Sequence, residues 1–169
     1  VRFQAENDDQ ERLWLVGGTN DSQLFNDVWS SADGLHWTEQ EAVNTATSEA
    51  LFEPRFGHQL VVFKNKLWLI GGVNDGNVRL NDIWSSADGI RWKEEVANGS
   101  TDMFPARNGH QIVVFDADGS GDKLWLLGGK GNDFSPPNFG VLNDVWSSPD
   151  GTNWTPHPIE NGKRFSPSF

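Results

Sequence analysis

The sequence predicts an all-β chain of three four-stranded antiparallel units, and three recurrences predict it. A Gly-Gly pair falls at Gly17-Gly18, Gly71-Gly72 and Gly128-Gly129. Asn-Asp, an aliphatic residue and Trp run from Asn26, Asn81 and Asn143. Asp-Gly follows at Asp33-Gly34, Asp88-Gly89 and Asp150-Gly151, each with a Trp three residues beyond the Gly. All nine tryptophans fall at three positions per copy: Trp14, Trp68 and Trp125; Trp29, Trp84 and Trp146; Trp37, Trp92 and Trp154. A period in the fifties, with short strands and Gly-rich turns, is that of a propeller blade.

The middle copy supplies the elements in order. Phe56 to Phe63 is a first strand that becomes wholly apolar toward its end, and Lys64-Asn65 makes the turn. Lys66 to Ile70 is a second strand, closed by Gly71-Gly72; its lack of polar alternation suits a strand covered on both faces. A third strand lies around Asp82 to Ser86. The turn Ala87-Asp88-Gly89 then leads into a fourth strand carrying Trp92, with Asp bonding its own backbone and Gly taking the positive φ. Lys93, Glu94 and Glu95 charge that fourth strand, as an exposed edge requires. The polar segments Gln40 to Pro54, Val96 to Ala106 and Pro156 to Lys163 read as surface connections between blades.

In this register the repeats cover approximately 1–54, 55–106 and 107–163 of one propeller unit. Val1 to Phe3 matches Val61 to Phe63, the second half of a first strand, whereas Arg164 to Phe169 matches the opening half, Arg55 to Leu60. Residues 164–169 thus start the strand that residues 1–3 complete. Either the ends meet in space to finish one blade, or the chain is a segment of a longer array.

The combination Arg55-x-Gly57-His58, the aliphatics before Gly71-Gly72, and Asn81-Asp82-Ile83-Trp84 through Trp92 resembles the kelch-type β-propeller repeat in its bacterial form. The Ser31 to Trp37 hairpin and its two relatives resemble a shortened Asp-box. The resemblance implies three antiparallel blades, either half of a six-bladed propeller or part of a longer one. It implies a binding or assembly module, and a secreted, periplasmic or cell-surface setting is favoured. Its alternatives are a carbohydrate-binding or carbohydrate-modifying surface protein and a part of a larger kelch-type enzyme. The enzymatic members it brings to mind use Tyr–Cys or Tyr chemistry, and this chain has neither residue.

Bulk composition narrows the partners. The formal charge of −11 argues against a nucleic-acid groove, which needs basic surface. No apolar run is long enough to span a membrane as a helix. Without cysteine there are no disulfides or thiolate metal sites, and the redox compartment stays open. The expected partner is a second copy, the remaining blades of a longer chain, or a glycan or protein ligand.

Few residues offer chemistry. Arg55, Arg107 and Arg164 open the innermost strands and could clamp an anion bidentately. Alternatively, each pairs with a carboxylate, from among Asp27, Asp82 and Asp144, and locks blade to blade. The loop Lys130 to Leu142 is the longest of those joining a second strand to a third, and its Phe134 and Phe139 are candidates for ligand contact. Asp116, Asp118, Ser120 and Asp122 present oxygens at alternate positions, like the opening of a calcium loop; the other reading is an enlarged hairpin turn. Calcium is the one cofactor suggested. His58 and His110 occupy equivalent strand positions, which favours buried hydrogen-bonding residues over a base or a metal ligand.

Overall fold

The computed structural model of the chain describes residues 1–6, 8–20, 22–46, 51–132 and 140–158. Among these residues all regular structure is strand. The first blade is the sheet β1 (Arg2–Phe3), β2 (Arg12–Thr19), β3 (Leu24–Ser31) and β4 (Thr38–Gln40), in that order. The connection to the next blade contains β5 (Val43–Asn44). The second blade comprises β6 (Arg55–Phe56), β7 (Gln59–Phe63), β8 (Lys66–Asn74), β9 (Arg79–Ser86) and β10 (Arg91–Val96). Both β6 and β7 pair with β8, so they form one first strand interrupted at Gly57-His58. The third blade is β11 (Gln111–Phe115), β12 (Lys123–Lys130), β13 (Val141–Ser148) and β14 (Thr155–His157).

Turn chemistry sets the hairpins. Lys64 and Asn65 both take positive φ, 48° and 57°, the requirement of a tight two-residue turn between β7 and β8. After β9, the amide of Gly89 donates to Ser86 Oγ at 2.8 Å, and the amides of Ile90 and Arg91 donate to Asp88 Oδ1. The Trp92 indole closes the turn by donating to the Gly89 carbonyl at 3.0 Å. The same bonds recur around Ser31-Asp33 and Ser148-Asp150.

Three details depart from the expected elements. The Gly-Gly pairs do not end the second strands: β2, β8 and β12 run through them, with register shifts at Val16/Gly18, Ile70/Gly72 and Leu127/Gly129. The cause is close approach of the next blade. A Cβ on Gly71 would lie 3.0 Å from the Arg107 carbonyl oxygen, and the Gly72 amide donates to that oxygen at 2.9 Å. The fourth strand of the second blade is not an open edge either. Val43 and Asn44 pair with Arg91 and Trp92 in parallel, so the connection leaving one blade covers the edge of the next. Finally, the first two connections are not confined to the surface, because they send Phe52 and Phe104 into the core.

The core lies between blades. One cluster joins Phe3, Trp14, Val16 and Val28 of the first blade to Leu67, Leu69, Trp84 and Trp92 of the second. The other joins Phe63, Trp68, Ile70 and Ile83 of the second blade to Ile112, Leu124, Leu126 and Trp154 of the third. Alternate residues of one strand therefore face opposite neighbours, Leu67 and Leu69 one way, Trp68 and Ile70 the other. No helix among the described residues is long and apolar enough to cross a membrane.

Candidate functional site

Four side-chain positions that recur with the repeat hold each blade together and join it to its neighbour. The first is the arginine at the start of the innermost strand. Arg55 Nη1 and Nη2 donate to Asp82 Oδ1 and Oδ2 at 2.7 Å each, and Nη1 also reaches the Gly71 carbonyl at 3.0 Å. Arg107 binds Asp144 in the same bidentate way at 2.7 Å, with Nη1 2.8 Å from the Gly128 carbonyl. Both guanidiniums are fully buried and stand over Phe52 and Phe104. Burial alone would raise the Asp144 carboxyl, but the hydrogen bonds and charge of Arg107 outweigh it and hold the group below its ordinary value. Of the two roles open to these arginines, the geometry of Arg55 and Arg107 is the ion pair, made within one blade and not from blade to blade. A guanidinium without exposed surface has no fork to offer an external anion. Arg164 lies outside the described residues.

The second contact is the tryptophan of the second strand against the Asp-Gly turn of the following blade. A Cβ built on Gly89 would lie 2.1 Å from Trp14 Cζ3, and one on Gly151 would lie 2.5 Å from Trp68 Cη2. Each of these glycines also takes positive φ, 75° and 89°. The turn thus needs glycine twice over, for its own backbone and for the indole seated on it.

The third contact is the phenylalanine plug. Phe52 meets Trp92 edge-on with centroids 5.4 Å apart, and Phe104 meets Trp154 at 5.0 Å. Asn26 Nδ2 holds the Phe52 carbonyl at 3.0 Å, and Asn81 Nδ2 holds those of Ser100 and Phe104. The asparagine of the Asn-Asp motif therefore anchors the incoming connection. Sequence reasoning missed these plugs, although Phe52 and Phe104 both stand three residues before the arginine.

The fourth contact is histidine. His58 Nε2 lies 2.9 Å from the Val16 carbonyl of the preceding blade. His110 occupies the same position in the third blade and is fully buried, but among the described residues neither of its ring nitrogens has a hydrogen-bond partner. Burial, followed by the adjacent arginine charge, lowers the His58 pKa to about 4 and that of His110 to about 3. Both rings are neutral at physiological pH, as structural residues. Among the described residues no three His, Asp or Glu side chains are placed to hold a metal.

At the ends of the arc the same positions are uncovered. Leu15 is 54% exposed where its equivalent Leu69 is fully buried, and Leu13 and Trp37 are exposed beside it. On the opposite face of the third blade, Phe115 is 58% exposed where its equivalent Phe63 is buried, next to Val113 and a half-buried Trp125. Trp125 stacks on His157 with centroids 4.9 Å apart. These two apolar faces are the candidate interaction surfaces.

Other candidates lie apart from them. In the acidic hairpin Asp116 Oδ1 accepts from the Gly119 amide. Asp118 takes bonds from Ser120 and from Lys123, which hold its carboxyl well below the ordinary range. Asp122 lies in the same exposed turn. Phe134 and Phe139 fall outside the described residues. A cleft of about 370 Å³ opens between the first two blades, where Trp14 and Ile90 meet Asp8, Arg12, Gln40 and Arg91.

A family model described as the DUF6242 β-propeller domain matches residues 1–148. Kelch repeat-containing protein 2 of Saccharomyces cerevisiae is 23% identical over 163 residues, 89% of this chain and 18% of that protein. An F-box/kelch-repeat protein of Arabidopsis thaliana is 28% identical over 159 residues, 86% of this chain and 30% of its own length. The flagellar outer-arm dynein alpha chain of Chlamydomonas reinhardtii is 28% identical over 130 residues, 72% of this chain and 3% of that one. The chain spans less than a third of the length of each of these relatives.

Proposed function

Because the chain belongs to the DUF6242 β-propeller domain family and is built of kelch repeats, we propose that it is a non-catalytic interaction module whose three blades are completed head to tail by a second copy. One observation carries this reading: the arc ends in two different apolar faces, and each is the counterpart of a surface buried between blades inside the chain. Contiguous exposed apolar surface is costly on a protein in water and marks a binding surface. A contact between unlike faces is heterologous, so it either closes a ring or grows into a fibre. Two chains supply six blades, a number at which kelch propellers close. The composition supports a binding role over a catalytic one, with no Tyr or Cys for the radical or nucleophilic chemistry of related propeller enzymes. Light scattering on the purified chain tests the reading: the expected mass is twice 18.8 kDa, and a stable compact monomer overturns it.

The cleft between the first two blades favours a second reading, in which the module binds carbohydrate. Asp8, Arg12, Gln40 and Arg91 line it beside the partly exposed Ile90, and these planar hydrogen-bonding groups suit sugar hydroxyls. A glycan array with the Gln40→Ala variant as control separates it from assembly alone. Signal that survives the substitution would place any sugar site elsewhere.

A further inference from the structure

We infer that Trp125 of one copy seats against the Gly34 turn of a second copy, and that the same junction gives Asp27 an arginine that none of the described residues supplies. The inference rests on the head-to-tail reading above and names the contacts that would carry it. Inside the chain the indole of the second strand meets the Asp-Gly turn of the next blade twice, Trp14 on Gly89 and Trp68 on Gly151. Trp125 is the third indole of that series and Gly34 the third glycine. Each is present without its counterpart. Trp125 is half-buried on an end face, and the nearest atom to a Cβ on Gly34 is Leu13 Cδ1 at 3.4 Å, from the same blade. Gly34 nevertheless keeps the positive φ of 77° shared by its equivalents. Leu35 beside it is 81% exposed, the most exposed large apolar residue described.

A second register points to the same pairing of ends. Asp82 and Asp144 each accept an indole bond from the Trp two residues on and a bidentate arginine. Asp27 accepts the indole bond, from Trp29 at 2.7 Å, but among the described residues no arginine reaches it. The repeat assigns its partner to Arg164, which aligns with Arg55 and Arg107. Arg164 follows the third blade and Asp27 belongs to the first, so this pair, like Trp125 on Gly34, sets the third blade of one copy against the first blade of the other. Face-to-face association of two like ends would satisfy neither series.

Complementation tests the pairing. Gly34→Asn fills the socket with a residue that tolerates positive φ, and Trp125→Ala removes the knob. Each variant alone carries the defect at both junctions of a closed pair. Each is expected to weaken dimerisation at least about thirtyfold per junction, the loss typical of an interface tryptophan, with circular dichroism unchanged. Mixing the two variants rebuilds one junction from intact partners, Trp125 of the Gly34→Asn chain against Gly34 of the Trp125→Ala chain. A heterodimer is therefore expected where neither variant associates alone. If the unaltered chain dimerises and the variants do so equally well, or if the mixture shows no recovery, the contact is wrong while head-to-tail assembly stands. If the unaltered chain is monomeric at all concentrations, the assembly reading fails with it.

Discussion

The Trp14 indole lies so close to Gly89 that a Cβ on the glycine would fall 2.1 Å from Cζ3. Gly151 stands in the same relation to Trp68. Blade spacing is therefore set by a glycine in one blade and an indole in the one before it.

Replacing either glycine by alanine forces the sheets apart and strains the turn. Gly89→Ala and Gly151→Ala are each expected to cost about 2–4 kcal/mol, from overpacking together with the positive φ. Gly119 has a φ of 75° but nothing within 4 Å of its Cβ position, so Gly119→Ala should cost only about 1 kcal/mol. Urea midpoints of the three variants check the ordering. Equal losses would mean that the turn geometry, and not the indole, requires glycine.

The buried Arg55–Asp82 pair invites a different experiment. Asp82→Ala leaves a guanidinium without water or a counter-charge, an expected loss of about 3–5 kcal/mol. The double change Arg55→Met with Asp82→Leu removes both charges and should recover much of that loss. Thermal unfolding of the single and double variants measures the difference. A double variant as unstable as the single one would show that the Gly71 and Glu53 carbonyls, which Arg55 also binds, matter more than the carboxylate.

How much of this was legible in the sequence depends on whether a contact stays within one repeat. Arg55 and Asp82 share a blade, and their constant register makes the pairing readable as one of two roles. The Trp14–Gly89 contact crosses blades, and Gly89 already has a sufficient reason to be glycine in its own turn, so nothing in the pattern signals the second reason. Phe52 and Phe104 sit in connections of unequal length and polar composition, where a single aromatic residue does not disturb the appearance of a loop. The pairing of Val43–Asn44 with Arg91–Trp92 has no hydrophobic signature, because its stabilisation is backbone hydrogen bonding at a sheet edge. The Gly-Gly pairs read as strand ends because glycine usually interrupts a strand; here the backbone of the next blade takes the space and the strand continues.

The two histidines set an acid limit. Their pKa values in the fold, about 4 for His58 and about 3 for His110, lie below the ordinary unfolded value near 6.5. The unfolded chain therefore binds more protons below that pH. Their contribution to stability is complete above pH 6.5 and declines as pH falls through 4 for His58 and toward 3 for His110. Each ring contributes a slope of up to about 1.4 kcal/mol per pH unit. Urea denaturation between pH 7 and pH 4 should show stability falling, and His58→Gln with His110→Gln should flatten the curve. An unchanged slope in that variant would assign the acid sensitivity to carboxylates.

Asp27 and Asp82 occupy equivalent positions yet should respond differently to the same substitution. Asp82 is nearly inaccessible and its carboxylate neutralises a buried arginine. Asp82→Asn therefore unbalances the interior, with an expected loss of several kcal/mol in the isolated chain. Asp27 is half-buried and accepts only the Trp29 indole among the described residues. An asparagine carbonyl can accept that bond equally well, so Asp27→Asn should change the unfolding free energy by less than about 1 kcal/mol. Its effect should fall on association, because an arginine arriving from another copy would be buried without a counter-charge. Sedimentation equilibrium should show a dissociation constant raised at least about tenfold, and Arg164→Met in the same chain should restore part of the loss by removing the unpaired charge. If Asp27→Asn destabilises the monomer as severely as Asp82→Asn, Asp27 already has its arginine within its own chain, and the junction between copies must be held by the apolar faces alone.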